Sequence, residues 1–400
     1  SQMNEPARSA LLPREEQIEK AVGRKQMSIG LPRDVHDDEK RIPLTPEAIR
    51  ILTDAGNEIF MERGAGQAAG FTDREYSDNG AVVADTPSRI YECDIIIKIT
   101  PFKQNEASQL KVGQTVISFM NVATMDEDVL STLMRKRVTA LASEKIKDTD
   151  GMLPVVESMS EISGITSVLL ASEYLSSASG GKGVMLGGVT GVTPTEVIII
   201  GANTAGEYAA RAALGLGAIV RVFDASVHRL RNFQNLLGQR IYTSTFHPQV
   251  LQKALKSADV LIGALSSDIL MPWFYVTEEM VQGMKRGSVI IDLSVDTGGC
   301  VETAEPRAIK DPIYEKHGVI HYSAWNLPSR VPKTASIALS NVFRPLMQEM
   351  ADAGSITHML RFNPGLRSGV YIYNGILTND VLGQKFGILS QDINLLLAAF

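Results

Sequence analysis

The stretch from Glu196 to Asp224 constrains this chain's fold more than any other. Glu196-Val-Ile-Ile-Ile200 is a continuous apolar run, as a strand buried on both faces of a parallel sheet requires. Gly201-Ala-Asn203-Thr-Ala205-Gly206 follows, then the helix-favouring Tyr208-Ala-Ala-Arg-Ala-Ala-Leu214. A second apolar strand, Ile219–Phe223, ends in Asp224, 23 positions after Gly201. Strand, glycine loop, helix, strand and acid in that order predict a dinucleotide-binding βαβ unit. The first glycine makes the turn, the helix N-terminus offers N–H groups to a pyrophosphate, and the last glycine lets helix pack on strand. Asp224 accepts hydrogen bonds from a ribose diol and repels a 2′-phosphate, so the expected cofactor is NAD. One position departs from the pattern. Asn203 stands where the middle glycine belongs. Asparagine tolerates positive φ better than most residues, but its side chain adds bulk where phosphate approaches.

The rest of the chain repeats this rhythm. Strands are expected at Met27–Leu31, Asn57–Arg63, Val82-Val83, Asp94–Ile99, Val116–Phe119 and Thr139–Ala142. Helices are expected from Thr45-Pro46-Glu47 to Ala55, at Asp126–Lys136, at Ser160–Ala178 and at Thr334–Ala353. At 400 residues the chain exceeds one ordinary core. The expected architecture is α/β: two Rossmann-like domains with parallel sheets. The fingerprint falls in the second βαβ series, and the helix after Pro332 is expected to return to the first domain. Residues 1–26 read as a polar extension with one short helix from Pro13 to near Gly23.

Charge and cysteine content narrow the partners. The 39 Lys and Arg against 45 Asp and Glu give a net charge of −6, which argues against nucleic acid as a partner. No apolar run approaches the ~20 residues of a membrane helix. Cys93 and Cys300 have neither metal-ligand nor redox spacing, so no metal is expected, and a cytoplasmic location fits such cysteine usage.

Several segments in order resemble the family of alanine dehydrogenases and transhydrogenase N-terminal domains, over about Met27 to Gly383. They are Ile29-Gly-Leu-Pro-Arg, Glu39-Lys-Arg41-Ile-Pro-Leu-Thr45-Pro46, Gly64-Ala-Gly66, Ser158-Met-Ser160-Glu-Ile-Ser-Gly164 and Met185-Leu-Gly-Gly-Val189. Ile291-Asp-Leu-Ser-Val-Asp296-Thr-Gly-Gly-Cys300, Asn326-Leu-Pro328 and Val331-Pro-Lys-Thr334 complete the set. The resemblance implies oxidative deamination of L-alanine to pyruvate and ammonia, with hydride passing to NAD. It also implies a substrate domain formed by both chain ends, 27–155 and 332–400, around a central Rossmann NAD-binding domain, 156–331, a small-molecule amino-acid or keto-acid substrate, and a homo-oligomer, dimer or hexamer.

The resemblance assigns residues too. Arg41 matches the arginine that holds the substrate carboxylate, and Asp296 the catalytic aspartate. Ser160, Gly201, Asn203, Ala205, Gly206, Asp224, Leu265 and Asn326 match cofactor-binding positions. Two expected residues are absent: the substrate lysine aligns on Thr100 and the catalytic histidine on Asn121, which cannot titrate near neutral pH. Lys98, two positions before Thr100, shares its strand face and is a candidate substrate contact, or else matches a separate lysine of the family's same strand. His36, near Arg41, is the histidine best placed to compensate. Three changes at three functional positions leave several readings open. They are an alanine dehydrogenase, a relative with a different amino acid or a saccharopine-type substrate, an NAD(H)-binding homologue with little catalysis, and an oligomer without cofactor.

Overall fold

A computed structural model describes residues 27–265 and 273–399; the helix expected between Pro13 and Gly23 lies outside them. The chain divides into two compact units. Among the described residues, 27–155 and 332–399 belong to the first, and 156–265 with 273–331 to the second.

In the first unit, β1 (Ser28–Leu31) leads through the loop 32–45 into α1 (Pro46–Asp54). Thr45 caps α1 by accepting the Ala48 N–H, and Pro46 opens its first turn without losing a hydrogen bond. Next come β2 (Glu58–Glu62), β3 (Val82–Ala84) and β4 (Ile95–Ile97). They are followed by α2 (Gln104–Ala107), β5 (Thr115–Ser118), α3 (Glu127–Arg135) and β6 (Thr139–Ala142). The helix α4 (Pro154–Leu175) then carries the chain into the second unit.

The second unit begins its sheet with β7 (Glu196–Ile200), α5 (Thr204–Gly215) and β8 (Ile219–Phe223). It continues through α6 (Val227–Leu237), β9 (Tyr242–Ser244), α7 (Pro248–Ser257), β10 (Val260–Gly263), β11 (Val289–Asp292), β12 (Ile313–Lys316) and β13 (Val319–Tyr322). The strand order is β12-β13-β11-β10-β7-β8-β9, all parallel except β12. Alternate residues of β7 feed two cores: Val197 and Ile199 pack with α4 and α5 residues, Ile198 and Ile200 with Leu251 and Leu255 of α7. A strand buried on both faces has no polar side, which is why the sequence shows no alternation there.

The return segment completes the first unit with α8 (Pro332–Ala353), the hairpin β14 (Val370–Tyr373) and β15 (Ile376–Leu377), and α9 (Asp380–Phe386). Its sheet order is β15-β14-β6-β5-β4-β1-β2-β3. β14 runs antiparallel to β6, so the sheet is parallel-dominated with an antiparallel edge. This hairpin was not anticipated from the sequence. Ser336 and Ser340 of α8 accept the N–H groups of Ile42 and Thr45, tying residues almost 300 positions apart beside α1.

Candidate functional site

Both sheets change direction beside their first strand. In the first unit β2 and β3 extend to one side of β1 while β4, β5 and β6 extend to the other; in the second unit β8 and β9 flank β7 on one side, β10 and β11 on the other. Loops leaving two such strands at their carboxyl ends diverge and open a crevice.

At the second unit's edge, Gly201 has φ +117°, and a Cβ on it would press on Leu265 and Ala264. A Cβ on Gly206 would lie 1.9 Å from the Gly201 carbonyl oxygen, so only glycine lets α5 approach β7 this closely. Asn203 behaves differently from expectation. Its backbone is extended, at φ −111°, so tolerance of positive φ does not explain the residue. Its side chain caps α5: Oδ1 accepts the Gly206 N–H at 2.9 Å, and Nδ2 donates to the Ala264 carbonyl at 2.8 Å. Asn203 thus links the loops after β7 and β10, the two lips of the crevice. The cap uses the Gly206 N–H. The N–H groups of Thr204 and Ala205, in the first turn, have no helical carbonyl behind them and suit an anion.

Asp224 is buried, and backbone and cation fix its carboxylate. The Ala202 N–H reaches Oδ2 at 2.8 Å and the Ser226 N–H reaches Oδ1 at 2.9 Å. The Arg229 guanidinium lies 3.3 Å from Oδ2. Leu265 follows β10, Asp296 follows β11 and Asn326 follows β13 at the same carboxyl edge, Asn326 in the left-handed region at φ +64°. Ser160 lies half-buried on α4. These residues fit a dinucleotide: a glycine cradle that a Cβ would fill, two open helix N–H groups, and an acid at the second strand's end.

Asp296 sits in a short turn (Val295–Thr297) between β11 and Gly298-Gly299. It is exposed, and partial desolvation still pushes its carboxyl up, against the backbone N–H groups of Asp296 and Thr297. The loop's base is closed by a residue the sequence reading missed. Asp292, at the end of β11 and fully buried, accepts the N–H groups of Ser294, Cys300 and Val301 at 3.0, 3.0 and 3.2 Å. Burial is the dominant influence on it and pushes its carboxyl up to about 6, with Asp296 adding to the rise.

An unfolded Asp292 releases its proton near the ordinary 3.8, but the folded one holds it to about 6. The native state therefore binds more protons in this window. The contribution to stability is complete below about 4 and is lost as pH rises through about 6, roughly 3 kcal/mol in all. Asp292→Asn removes this loss. Urea midpoints from pH 4.5 to 7.5 should decline more steeply in the parent than in the variant; parallel curves would refute the assignment.

At the first unit's edge, Arg41 ends the loop after β1. Glu39, whose side chain is fully buried, accepts Arg41 Nε and Nη2, both at 2.9 Å. This fork fixes the guanidinium plane and leaves Nη1 outside the pair. The Thr100 hydroxyl and N–H both donate to Asp34, at 2.5 and 3.1 Å. The His36 Nδ1 accepts the Asp38 N–H, and the His36 N–H donates to Asp34, so His36 shares the loop that holds Thr100.

Lys98 does not join them. β4 ends at Ile97, and the face-sharing expected of Lys98 and Thr100 ends with it. Lys98 Nζ lies 2.9 and 3.0 Å from the two carboxylate oxygens of Glu106, both residues almost wholly buried. Its ammonium is paired in the interior, apart from the Asp34 contact that holds Thr100.

Asn121 follows β5 in the left-handed region, at φ +48°. Glu144, just after β6, accepts the N–H groups of Met120 and Asn121. Burial pushes its carboxyl up. From the other side Lys385 of α9 donates to the carbonyls of Val122 and Ala123, at 3.0 Å each. The loop bearing Asn121 is thus held from two sides. The sequence signal for Glu39, Glu144 and Asp292 was available: each is an acid at or near a strand's carboxyl end or beside a matched residue.

Residues 30–163 match the family model described as alanine dehydrogenase/PNT, N-terminal domain, and residues 167–380 its C-terminal-domain counterpart. Alanine dehydrogenase of Staphylococcus saprophyticus is 33% identical over 368 residues, covering 92% of this chain and 99% of that protein. Alanine dehydrogenase 2 of Staphylococcus aureus is 34% identical over 361 residues, covering 90% and 96%. Among solved structures, an L-alanine dehydrogenase superposes with a TM-score of 0.83 at 34% identity, covering 90% of this chain and 99% of that one. A transhydrogenase from Sinorhizobium meliloti gives 0.73 at 22% identity over 88% and 98%, a likeness of fold.

Proposed function

Since this chain belongs to the alanine dehydrogenase/PNT family, we propose that it is an NAD-dependent amino-acid dehydrogenase, with L-alanine, pyruvate and ammonia as its reactants. The observation that carries the reading is the second unit's crevice, where Gly201, Gly206 and Asp224 offer the pyrophosphate and ribose their contacts. Bound NAD supplies a hydride acceptor.

The chain's own groups do the rest. Arg41, braced by Glu39, presents Nη1 to the substrate carboxylate. Asp296 moves protons to and from the substrate nitrogen and the attacking water; a carboxyl raised above its ordinary range is better matched to that task. Thr100, whose hydroxyl proton is given to Asp34, accepts a hydrogen bond through its oxygen. Asn121 contributes hydrogen bonds only.

A second reading has its own support. Neither Thr100 nor Asn121 titrates near neutral pH, and Lys98 is locked to Glu106. Without the charges of a lysine and a histidine at these positions, a different amino acid, such as a saccharopine-type substrate, is the alternative to alanine. The test is NADH formation by purified protein against a panel of amino acids at high enzyme concentration. Turnover with L-alanine supports the first reading and turnover with another amino acid alone supports the second. NADH binding without any turnover refutes both and leaves a cofactor-binding homologue. The cytoplasm and a homo-oligomeric state belong to the same proposal; no described helix is long and apolar enough to cross a membrane.

A further inference from the structure

The N-terminus of α5, where a pyrophosphate docks in this fold, already faces a carboxylate. Thr204 is the first residue of α5, and its hydroxyl donates to Glu157 Oε2 at 2.6 Å. Glu157 comes from the first turn of α4. One turn further along, Glu161 hydrogen-bonds the Tyr208 hydroxyl and pushes it up, after desolvation. One turn beyond that, Gly164 packs on α5 so closely that a Cβ would lie 2.3 Å from the Ala205 carbonyl oxygen. Three rungs at helical spacing therefore lay α4 along α5 and fix where the Glu157 carboxylate sits. It stands beside the first helical turn, whose Thr204 and Ala205 N–H groups form the anion site.

We propose that Glu157 is a specificity-determining residue that weakens cofactor binding, because its carboxylate shares the positive end of α5 with the incoming pyrophosphate. The inference rests on the cofactor reading above. In the free protein the helix end is partly neutralised by Glu157, which has the same sign as the ligand. Binding either brings two anions together or requires Glu157 to turn away from Thr204. Solvent screening and the freedom of Glu157 to turn away from Thr204 reduce the net repulsion to roughly tenfold in affinity.

Glu157→Gln isolates the charge, since the amide oxygen still accepts the Thr204 hydroxyl and the α4–α5 contact is kept. The full chain and this variant are titrated with NADH, ADP and adenosine by calorimetry or NADH fluorescence. The expected result is about tenfold tighter binding of NADH and ADP by the variant, with adenosine unchanged. Equal affinities of parent and variant for NADH overturn the inference and leave the cofactor reading intact. An equal gain for adenosine also overturns it, because the effect would not act on phosphate. If neither protein binds NADH at millimolar concentration, the cofactor reading itself fails and takes the inference with it.

Discussion

Asp296→Asn is expected to lower kcat by about 10²–10⁴-fold while NADH binding stays within about twofold. The amide keeps the shape and hydrogen-bonding capacity of the side chain but cannot take up or release a proton at neutral pH. Asn121 and Thr100, the other two residues proposed to face the substrate, cannot titrate near neutral pH. The loss should therefore approach the upper end of that range. Burst and steady-state measurements of NADH formation, with NADH titration as a control, read the two effects separately. A variant with kcat within threefold of the parent would remove Asp296 from the proton-transfer role. It would also direct attention to His36, the histidine on the loop that carries Arg41.

Arg41→Ala should act on the substrate rather than on the proton. A charge-assisted hydrogen bond to a carboxylate contributes about 1.5–3 kcal/mol, so KM for the amino acid should rise about tenfold to a hundredfold, with NADH affinity unchanged. The change also strips the buried Glu39 carboxylate of its fork, two bonds at 2.9 Å. Thermal unfolding should move down accordingly. Arg41→Lys separates the two consequences. It keeps a positive charge for Glu39, yet loses the planar fork that orients one edge toward a carboxylate. A lysine variant that recovers stability but not KM supports the assignment. Recovery of both would show that Arg41 acts through charge alone. An unchanged KM in the alanine variant would show that the substrate carboxylate is held elsewhere.

Much of this protein was legible in one dimension. Glu196–Ile200, Ile219–Phe223 and Thr139–Ala142 were bounded correctly because continuous apolar runs between turn residues have one reading in a parallel sheet. The bounds of α1 followed from Thr45 and Pro46, whose capping chemistry is local. Local information failed where a strand ends without a marker. Ile99 and Thr100 continue the pattern of β4, yet the regular register with β5 ends at Ile97, with the Lys98 N–H still bonded to Ile117 and the Phe119 N–H to Ile99, and only the tertiary structure shows that the Lys98 side chain turns to Glu106. The β14–β15 hairpin was missed for a related reason: its partner, β6, lies more than two hundred residues earlier.

The sequence by itself determined the α/β class, the fingerprint from Gly201 to Asp224 and the family, because each depends on residues close together in the chain. The tertiary structure decided what the unusual residues do. Asn203 became a helix cap and a link to Ala264, Lys98 an interior ion pair, Asp292 the closure of the loop that bears Asp296, and Glu157 an anion at the end of α5. Each role is set by a partner between 3 and 61 residues away, and the chemistry of a carboxylate, amide or ammonium is fixed by what stands within about 3 Å of it. Sequence spacing does not specify that neighbour; the packing of strand ends and helix ends does.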